Sequence, residues 1–363
     1  MHPLPPLSRS LASPLRRKLV MALPLLAVGA ATSRTHASPV VSGGSRALMG
    51  TRVDILIVAG STNAATARVA SEAAWRMMEK LAGDMSRHAP TSLLSRIGVQ
   101  AGISPVMVST ELMQVLQAAV ALSHETGGAF DATIGALSDW RFDGASARLP
   151  APERILAQRA RVDSRALHLD LLARTAYLDA PGMALDLGGI AKLPILEAGM
   201  RVLHEHGVTD ALINGGGDVI TSGTRQGEPW RIGLRDPRAP SRLLGTIALA
   251  GNGVVASSGD YERGFWHEGR RMHHVLDPAT GYPTQGVRGV ALIAASVADV
   301  NGLGVATMVK GMAPAREMLA LRPAVHAVAV GEHGMWQTPA LAGLGDTRRQ
   351  VGFSRRGEAL LPI

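Results

Sequence analysis

The chain has 363 residues, 46% of them hydrophobic, with 41 Gly, 21 Pro and only 3% aromatics, the profile of a folded, loop-rich protein with an aliphatic and Met-based core. No cysteine is present, which excludes disulfides, thiolate metal sites, cysteine nucleophiles and a lipidated cysteine. The formal charge is +8, but residues 1–37 hold five basic and no acidic side chains, so the remainder carries about +3 and points to no nucleic acid.

Residues 1–37 have the three parts of an export signal. These are the basic Arg16, Arg17 and Lys18, an apolar run over 19–31, and small residues closing on Thr35-His36-Ala37. The run is shorter than the roughly 20 residues of a spanning helix, so cleavage after Ala37 is expected in preference to anchoring. The arginine pair suits twin-arginine as well as general secretory export. One folded domain is then expected over 38–363.

Residues 47–59 read as a strand in which Val53, Ile55 and Ile57 alternate. Ala74, Met77, Met78 and Leu81 predict a helix over 71–81, with a polar loop over 86–98. A second amphipathic helix is predicted over 110–126, stopped by Gly127-Gly128. The stretch 141–175 is weakly patterned, with a helix over 153–159 and a short hairpin expected. From Tyr177 short strands alternate with Gly-rich turns around a helix over 191–206, followed by a strand over 286–295, a helix over 300–310 and a strand over 324–330. Many short strands with few crossover helices predict an α+β fold of largely antiparallel sheets with flanking helices.

Four segments carry candidate chemistry. In GGAFDATIGAL (127–137), Asp131 sits beside glycines that admit a ligand to the backbone; it either accepts hydrogen bonds from a ribose or an adenine amine or caps the next helix. In ALDLGGIAKLPILEAG (184–199), two glycines open a helix whose free N–H groups and Lys192 suit a pyrophosphate; a plain strand-to-helix turn is the rival. NGGGDV (214–219) has more glycines than a tight turn requires, so it is either a close approach to a bulky group or a flexible hairpin. SSGDYERGF and RMHHVLDPATGYPT bring Asp260, Arg263, His273, His274 and Asp277 into one hairpin-like stretch. Adjacent strand residues face opposite ways, so one histidine at most serves a given pocket, and His274 is the choice. With an acid nearby it suits proton acceptance from a hydroxyl nucleophile.

In this order and spacing, MGT, SRHAPTSLLSRI, GGAFDATIGAL, ALDLGGIAK, NGGGDV, SSGDYERGF and HHVLDPATGYP resemble the FAD:protein FMN transferases of the ApbE family over residues 49–311. The resemblance implies an ApbE-like flavin transferase fold and a periplasmic protein that moves the FMN half of FAD onto a Thr or Ser hydroxyl of a partner, releasing AMP. The partner it implies is a flavoprotein subunit of a membrane electron-transfer complex, with the membrane reached only through that partner or the signal. It implies FAD contacts at Met49, Ala129, Phe130, Asp131, Asp186, Lys192, His274 and Val275, and assigns Asp260 and His274 to deprotonating the acceptor. It also implies Mg2+ on the diphosphate, held by an Asp and a Thr four apart on one face of the helix after the last strand. Counting back from Gly311, those positions are Asn301 and Val305, while Asp299 and Thr307 lie two residues off, on another face. With Asn301 and the backbone near Gly189 as oxygen donors, Mg2+ is expected to be held weakly. Two readings follow: a transferase with a weakened metal or with Lys192 and Arg263 supplying charge, or an FAD-binding accessory protein that has lost transfer.

Overall fold

A computed structural model describes residues 40–58 and 62–342, together with short strands at 351–353 and 359–360. The expected signal at 1–37 lies outside the described residues. In chain order the elements are β1 (Val40–Leu48), β2 (Thr51–Val58), α1 (Ala64–Asp84), α2 (Leu93–Val99), β3 (Val106–Met107), α3 (Thr110–Glu125), α4 (Pro152–Arg159), β4 (Leu167–Asp170), β5 (Thr175–Leu178) and α5 (Lys192–Glu205). There follow β6 (Ala211–Gly215), β7 (Asp218–Ser222), β8 (Trp230–Asp236), β9 (Ala239–Leu249), β10 (Gly253–Gly259), β11 (Gly264–His267), β12 (Arg270–His273) and β13 (Val287–Ala294). The chain then forms α6 (Val297–Val300), α7 (Leu303–Lys310), α8 (Met312–Ala320), β14 (His326–Gly331), β15 (Met335–Gln337), β16 (Val351–Phe353) and β17 (Ala359–Leu360).

Eight strands make one sheet in the order β1-β2-β6-β7-β10-β13-β14-β15, and every pairing in it is antiparallel. The α+β expectation holds. Period-two alternation divides each central strand between two cores. Val53, Ile55 and Ile57 of β2 join the main cluster with α1, α3 and α5, while Val58 and Leu56 face a second one. There Trp230 and Leu234 of β8 and Ile247 and Leu249 of β9 cover the sheet's other face. Burial of each such side chain contributes about 1.5–3 kcal/mol, so both layers hold the sheet rather than one alone.

The first three helices start where side chains can serve their free N–H groups. Asn63 accepts from the Thr66 amide at 2.9 Å before α1, and Ser109 from the Leu112 amide at 3.3 Å before α3. Ala67, Ala70, Ala74, Met78 and Leu81 of α1 recur at helical spacing and are buried. At the far end of α3, Gly127 and Gly128 take left-handed φ values of 62° and 80°, as the predicted stop requires.

Several expected boundaries change. Residues 47–59 are a hairpin turn plus a strand, because Met49 and Gly50 turn the chain with φ of 53° and 72°. The helix expected at 71–81 extends to Ala64–Asp84, and the polar stretch 86–98 contains most of α2, capped by Ser92. The helix expected over 300–310 is two pieces. Gly302, at φ 75°, breaks the chain between α6 and α7, and a Cβ there would collide with Leu122 Cδ2 unless that leucine shifted.

Candidate functional site

Antiparallel pairing brings the turns of several motifs to one end of the eight-stranded sheet. The Met49-Gly50 turn of β1–β2 and the Gly216-Gly217 turn of β6–β7 are neighbours, with the Gly216 amide donating to the Arg52 carbonyl at 3.1 Å. A Cβ on Gly216 would collide with Thr51 Oγ1, so the triple-glycine turn serves close backbone approach. Met49 lies half-buried in this turn, against the main core.

Lys192 opens α5, and its Nζ pairs with Asp218 Oδ2 at 3.0 Å. The other oxygen of Asp218 accepts from the Ser257 amide at 2.7 Å, and Ser257 Oγ donates to the Gly217 carbonyl at 3.0 Å. Three motifs far apart in sequence therefore meet at one buried carboxylate. The fourth joins through the backbone, since the Asp186 amide donates to the Ala132 carbonyl at 2.7 Å. Phe130 packs close to Gly189, and Ala129 and Val275 are buried alongside in the main core.

Asp186 accepts from Arg87 Nη1 at 2.5 Å and from the Gly188 amide at 2.8 Å. Burial alone would raise this carboxyl, but Arg87, the Gly188 amide and Arg263 outweigh it and hold the group below the usual carboxylate range. Asp131 behaves differently. Its Oδ1 accepts from the Thr133 amide and hydroxyl at 2.8 and 2.6 Å, and its Oδ2 from the Ser164 amide at 2.9 Å. Three protein donors occupy most of its acceptor capacity. It caps a turn, with no helix following.

The adjacent histidines separate, but not by strand alternation, since His274 lies in a bend just past the end of β12. His273 is buried, with Nε2 2.8 Å from the Thr284 carbonyl and Nδ1 facing the Val275 amide at 3.4 Å. The first contact needs a ring N–H and the second a lone pair, so this ring is a neutral structural group. His274 is only half-buried, with Nδ1 3.4 Å from the Arg263 carbonyl. Burial, then the charges of Arg263 and Lys192, push its imidazole down to about 3. At neutral pH it is uncharged and presents a lone pair at Nε2.

Asp260 is buried beside Arg288, whose Nε lies 3.2 Å from Oδ2, while Oδ1 has no hydrogen-bond partner among the described residues. Its charge acts on His273 rather than on His274. The two expected catalytic groups thus occupy one hairpin region, but nothing links them directly. Tyr261, next to them, is pushed up to about 12 by burial and packs over Gly259, which fixes the loop.

The positions expected to hold a divalent ion carry no charged oxygen donor, whereas such an ion demands oxygen ligands in near-octahedral order. Val305 brings a methyl: a Cβ on Gly189 would lie 2.8 Å from Val305 Cγ2 and 3.3 Å from the Phe130 ring. Asn301 is not on one helix face with Val305, as expected, but caps α6 ahead of the Gly302 break. Asp299 is held by Ser296 Oγ at 2.6 Å, and Thr307 is fully buried on the core face of α7. Among the described residues no cluster of three His, Asp or Glu side chains is placed to hold a metal. Asn301 and backbone carbonyls such as that of Gly189 remain as donors, all neutral.

Arg87 and Asp218 are site residues that reading by motif left out, although they stand in SRHAPTSLLSRI and NGGGDV. A surface arginine in a polar stretch carries no pattern; its meaning comes from Asp186, which folds against it from a distant segment. Two clefts open elsewhere, one at Asp210, Ser222 and Asn252, the other at Met272, Tyr282 and Gln285, and neither is lined by Lys192, Arg263 or His274.

Comparison with known proteins bears on this arrangement. The model of the ApbE family matches residues 49–329. An FAD:protein FMN transferase of Treponema pallidum is 30% identical over 281 residues, covering 73% of this chain and 78% of that protein. One of Vibrio cholerae is 33% identical over 242 residues, covering 65% and 72%. Among solved structures, the ApbE protein of Thermotoga maritima superposes with a TM-score of 0.76 at 29% identity, covering 85% of this chain and 99% of that one. The flavin transferase ApbE of Vibrio cholerae does so with a TM-score of 0.71 at 26% identity, covering 83% and 97%.

Proposed function

The chain belongs to the ApbE family, and on that premise we propose that it is an FAD:protein FMN transferase acting outside the cytoplasm. The observation that carries the reading is the meeting of Asp186, Lys192, Asp218, Arg263 and His274 around the Gly188-Gly189 turn. Such a set of backbone amides and cations suits a dinucleotide's diphosphate. In the reaction, the oxygen of an acceptor Ser or Thr hydroxyl bonds to the phosphorus of the FMN half. The bridging P–O bond breaks with its electrons, AMP leaves, and the hydroxyl proton passes to a base. The protein's share is position and charge neutralisation.

Among the described residues, His274 Nε2 and Asp260 Oδ1 are two lone pairs in this region that no protein donor uses. His274 is the more accessible. A bound diphosphate sets negative charge against Arg263 and Lys192, which lifts the imidazole toward a useful basicity. Asp260, shielded and paired to Arg288, supports the hairpin that presents it. Mg2+ at Gly189 and Asn301, if bound, would meet neutral oxygens only, and no step of the reaction is assigned to it here.

The missing carboxylate and hydroxyl at Asn301 and Val305 favour one other reading, an FAD-binding accessory protein without transfer. Mixing the processed protein with FAD and an acceptor flavoprotein domain separates the two. AMP release with covalently attached flavin fluorescence supports transfer; FAD binding with neither signal supports the accessory reading. The acceptor we propose is a flavoprotein subunit of a membrane electron-transfer complex, and the location periplasmic. Export with cleavage after Ala37 would yield a mature chain beginning at Ser38, which N-terminal sequencing of the exported protein reads directly.

A further inference from the structure

Resting on the flavin-dinucleotide reading of this site, we infer that Arg263 and Lys192 grip the diphosphate directly, with no divalent cation between them. Each neighbouring cation already has an acid: Arg87 has Asp186 and Lys192 has Asp218. Arg263 differs. Its guanidinium has no hydrogen-bond or ion-pair partner among the described residues, and the adjacent Glu262 is engaged by Arg235 at 3.7 Å. Yet its charge reaches inward, acting on Asp186, His88 and His274. An unpaired cation at the mouth of a site otherwise charge-balanced calls for an anionic ligand.

The donor geometry fits two adjoining phosphates. A guanidinium offers a planar fork that meets two phosphate oxygens at once, and an ammonium bound once to Asp218 keeps two of its three N–H groups. The opposite wall has lost what a divalent ion needs. Val305 presents a methyl toward Gly189, Asp299 turns to Ser296, and Thr307 is buried in the core. Asp186 and Asp218 are already engaged by Arg87 and Lys192, so bringing a divalent cation beside Arg263 and Lys192 adds repulsion, whereas the bare diphosphate relieves it.

Calorimetric titration of FAD, and of ADP as a probe of the diphosphate, into the processed protein tests this in EDTA and in excess MgCl2. The expected result is the same affinity in both buffers, with Arg263→Gln weakening both ligands about ten-fold or more, the scale of a charge-assisted contact, and Arg263→Lys recovering part of the loss. Arg263 is exposed, and an unchanged melting curve for Arg263→Gln verifies the fold. Binding that vanishes in EDTA, or an Arg263→Gln protein that binds both ligands as well as its parent, overturns the inference. Following AMP in the same samples with an acceptor present keeps the two readings apart. Metal-free binding without AMP in either buffer upholds the grip and retires the transferase; AMP release together with binding that is lost in EDTA does the reverse.

Discussion

His274 is held neutral by burial and by the charges around it, while an imidazole in an unfolded chain titrates near its ordinary value of about 6.5. Between that pH and the folded value of about 3 the unfolded state binds a proton that the folded state does not, so stability falls as pH drops through this window. His273, also depressed by burial, acts in the same direction. The ligand-free protein is therefore expected to melt at lower temperature at pH 5 than at pH 7, with His274→Asn flattening the slope. Asp186 does not interfere: its depressed carboxyl stabilises above the ordinary carboxylate range and loses that effect only at more acid pH. A slope unchanged in His274→Asn would show that this ring is already protonated, or exposed, in the folded protein. A second expectation concerns Asn301 and Val305. Asn301→Asp with Val305→Thr introduces a carboxylate and a hydroxyl, and FAD affinity should then become dependent on Mg2+; an unchanged metal response would mean that these are not the positions where the family holds its ion. The sequence singles out Lys192, His274 and Asp131 as candidates by their own chemistry and motifs. It does not single out Arg87, because its partner Asp186 lies in a segment that only folding brings near.

At the scale of elements, periodicity located the long helices well, since α3 and α5 follow their apolar spacing and stop at glycines. It failed where one residue redirects the chain. Met49 adopts a left-handed turn that nothing about methionine announces, so a hairpin read as one strand. Gly302 sits in an apolar run that looks continuous, yet it separates α6 from α7 and sets where Asn301 and Val305 point. The glycine is needed twice, for a φ of 75° and for contact with Leu122. Gly302→Ala is expected to cost about 2–4 kcal/mol, combining left-handed strain with overpacking, and to weaken FAD binding by moving α7 away from Gly189. Gly207→Ala makes the comparison. Its φ of 79° is similar, but no atom lies within 4 Å of the added methyl, so only the conformational part, about 1–2 kcal/mol, should appear. Denaturant unfolding of both variants measures the difference. Equal losses would assign the whole effect to backbone strain and leave the Leu122 contact without weight.

Across the whole molecule, one antiparallel sheet serves two cores and one site. The class of fold follows from the sequence, because short strands with few crossovers leave little choice. The strand order does not, since β2 pairs with β6 far along the chain and β7 with β10 across the β8–β9 excursion, pairings that hydrophobic alternation alone does not specify. In β10 the consequence is plain: Val254 and Ala256 face the helical core, Val255 faces the β8–β9 layer, and Ser257 at the strand's end holds Asp218 in the site. Damage to the second layer should therefore be felt by the sheet as a unit. Trp230 is 3% exposed and donates its Nε1 proton to the Ser222 carbonyl at 3.1 Å. Trp230→Ala is expected to cost about 3–5 kcal/mol while leaving FAD affinity unaltered at temperatures where the protein stays folded. Unfolding followed by far-ultraviolet dichroism and by loss of bound FAD should remain coincident, in a single transition at lower temperature. If the two probes separate, the β8–β9 layer melts as an independent unit, and the sheet end that carries Lys192, Asp218 and Ser257 is then stabilised by the helical core alone.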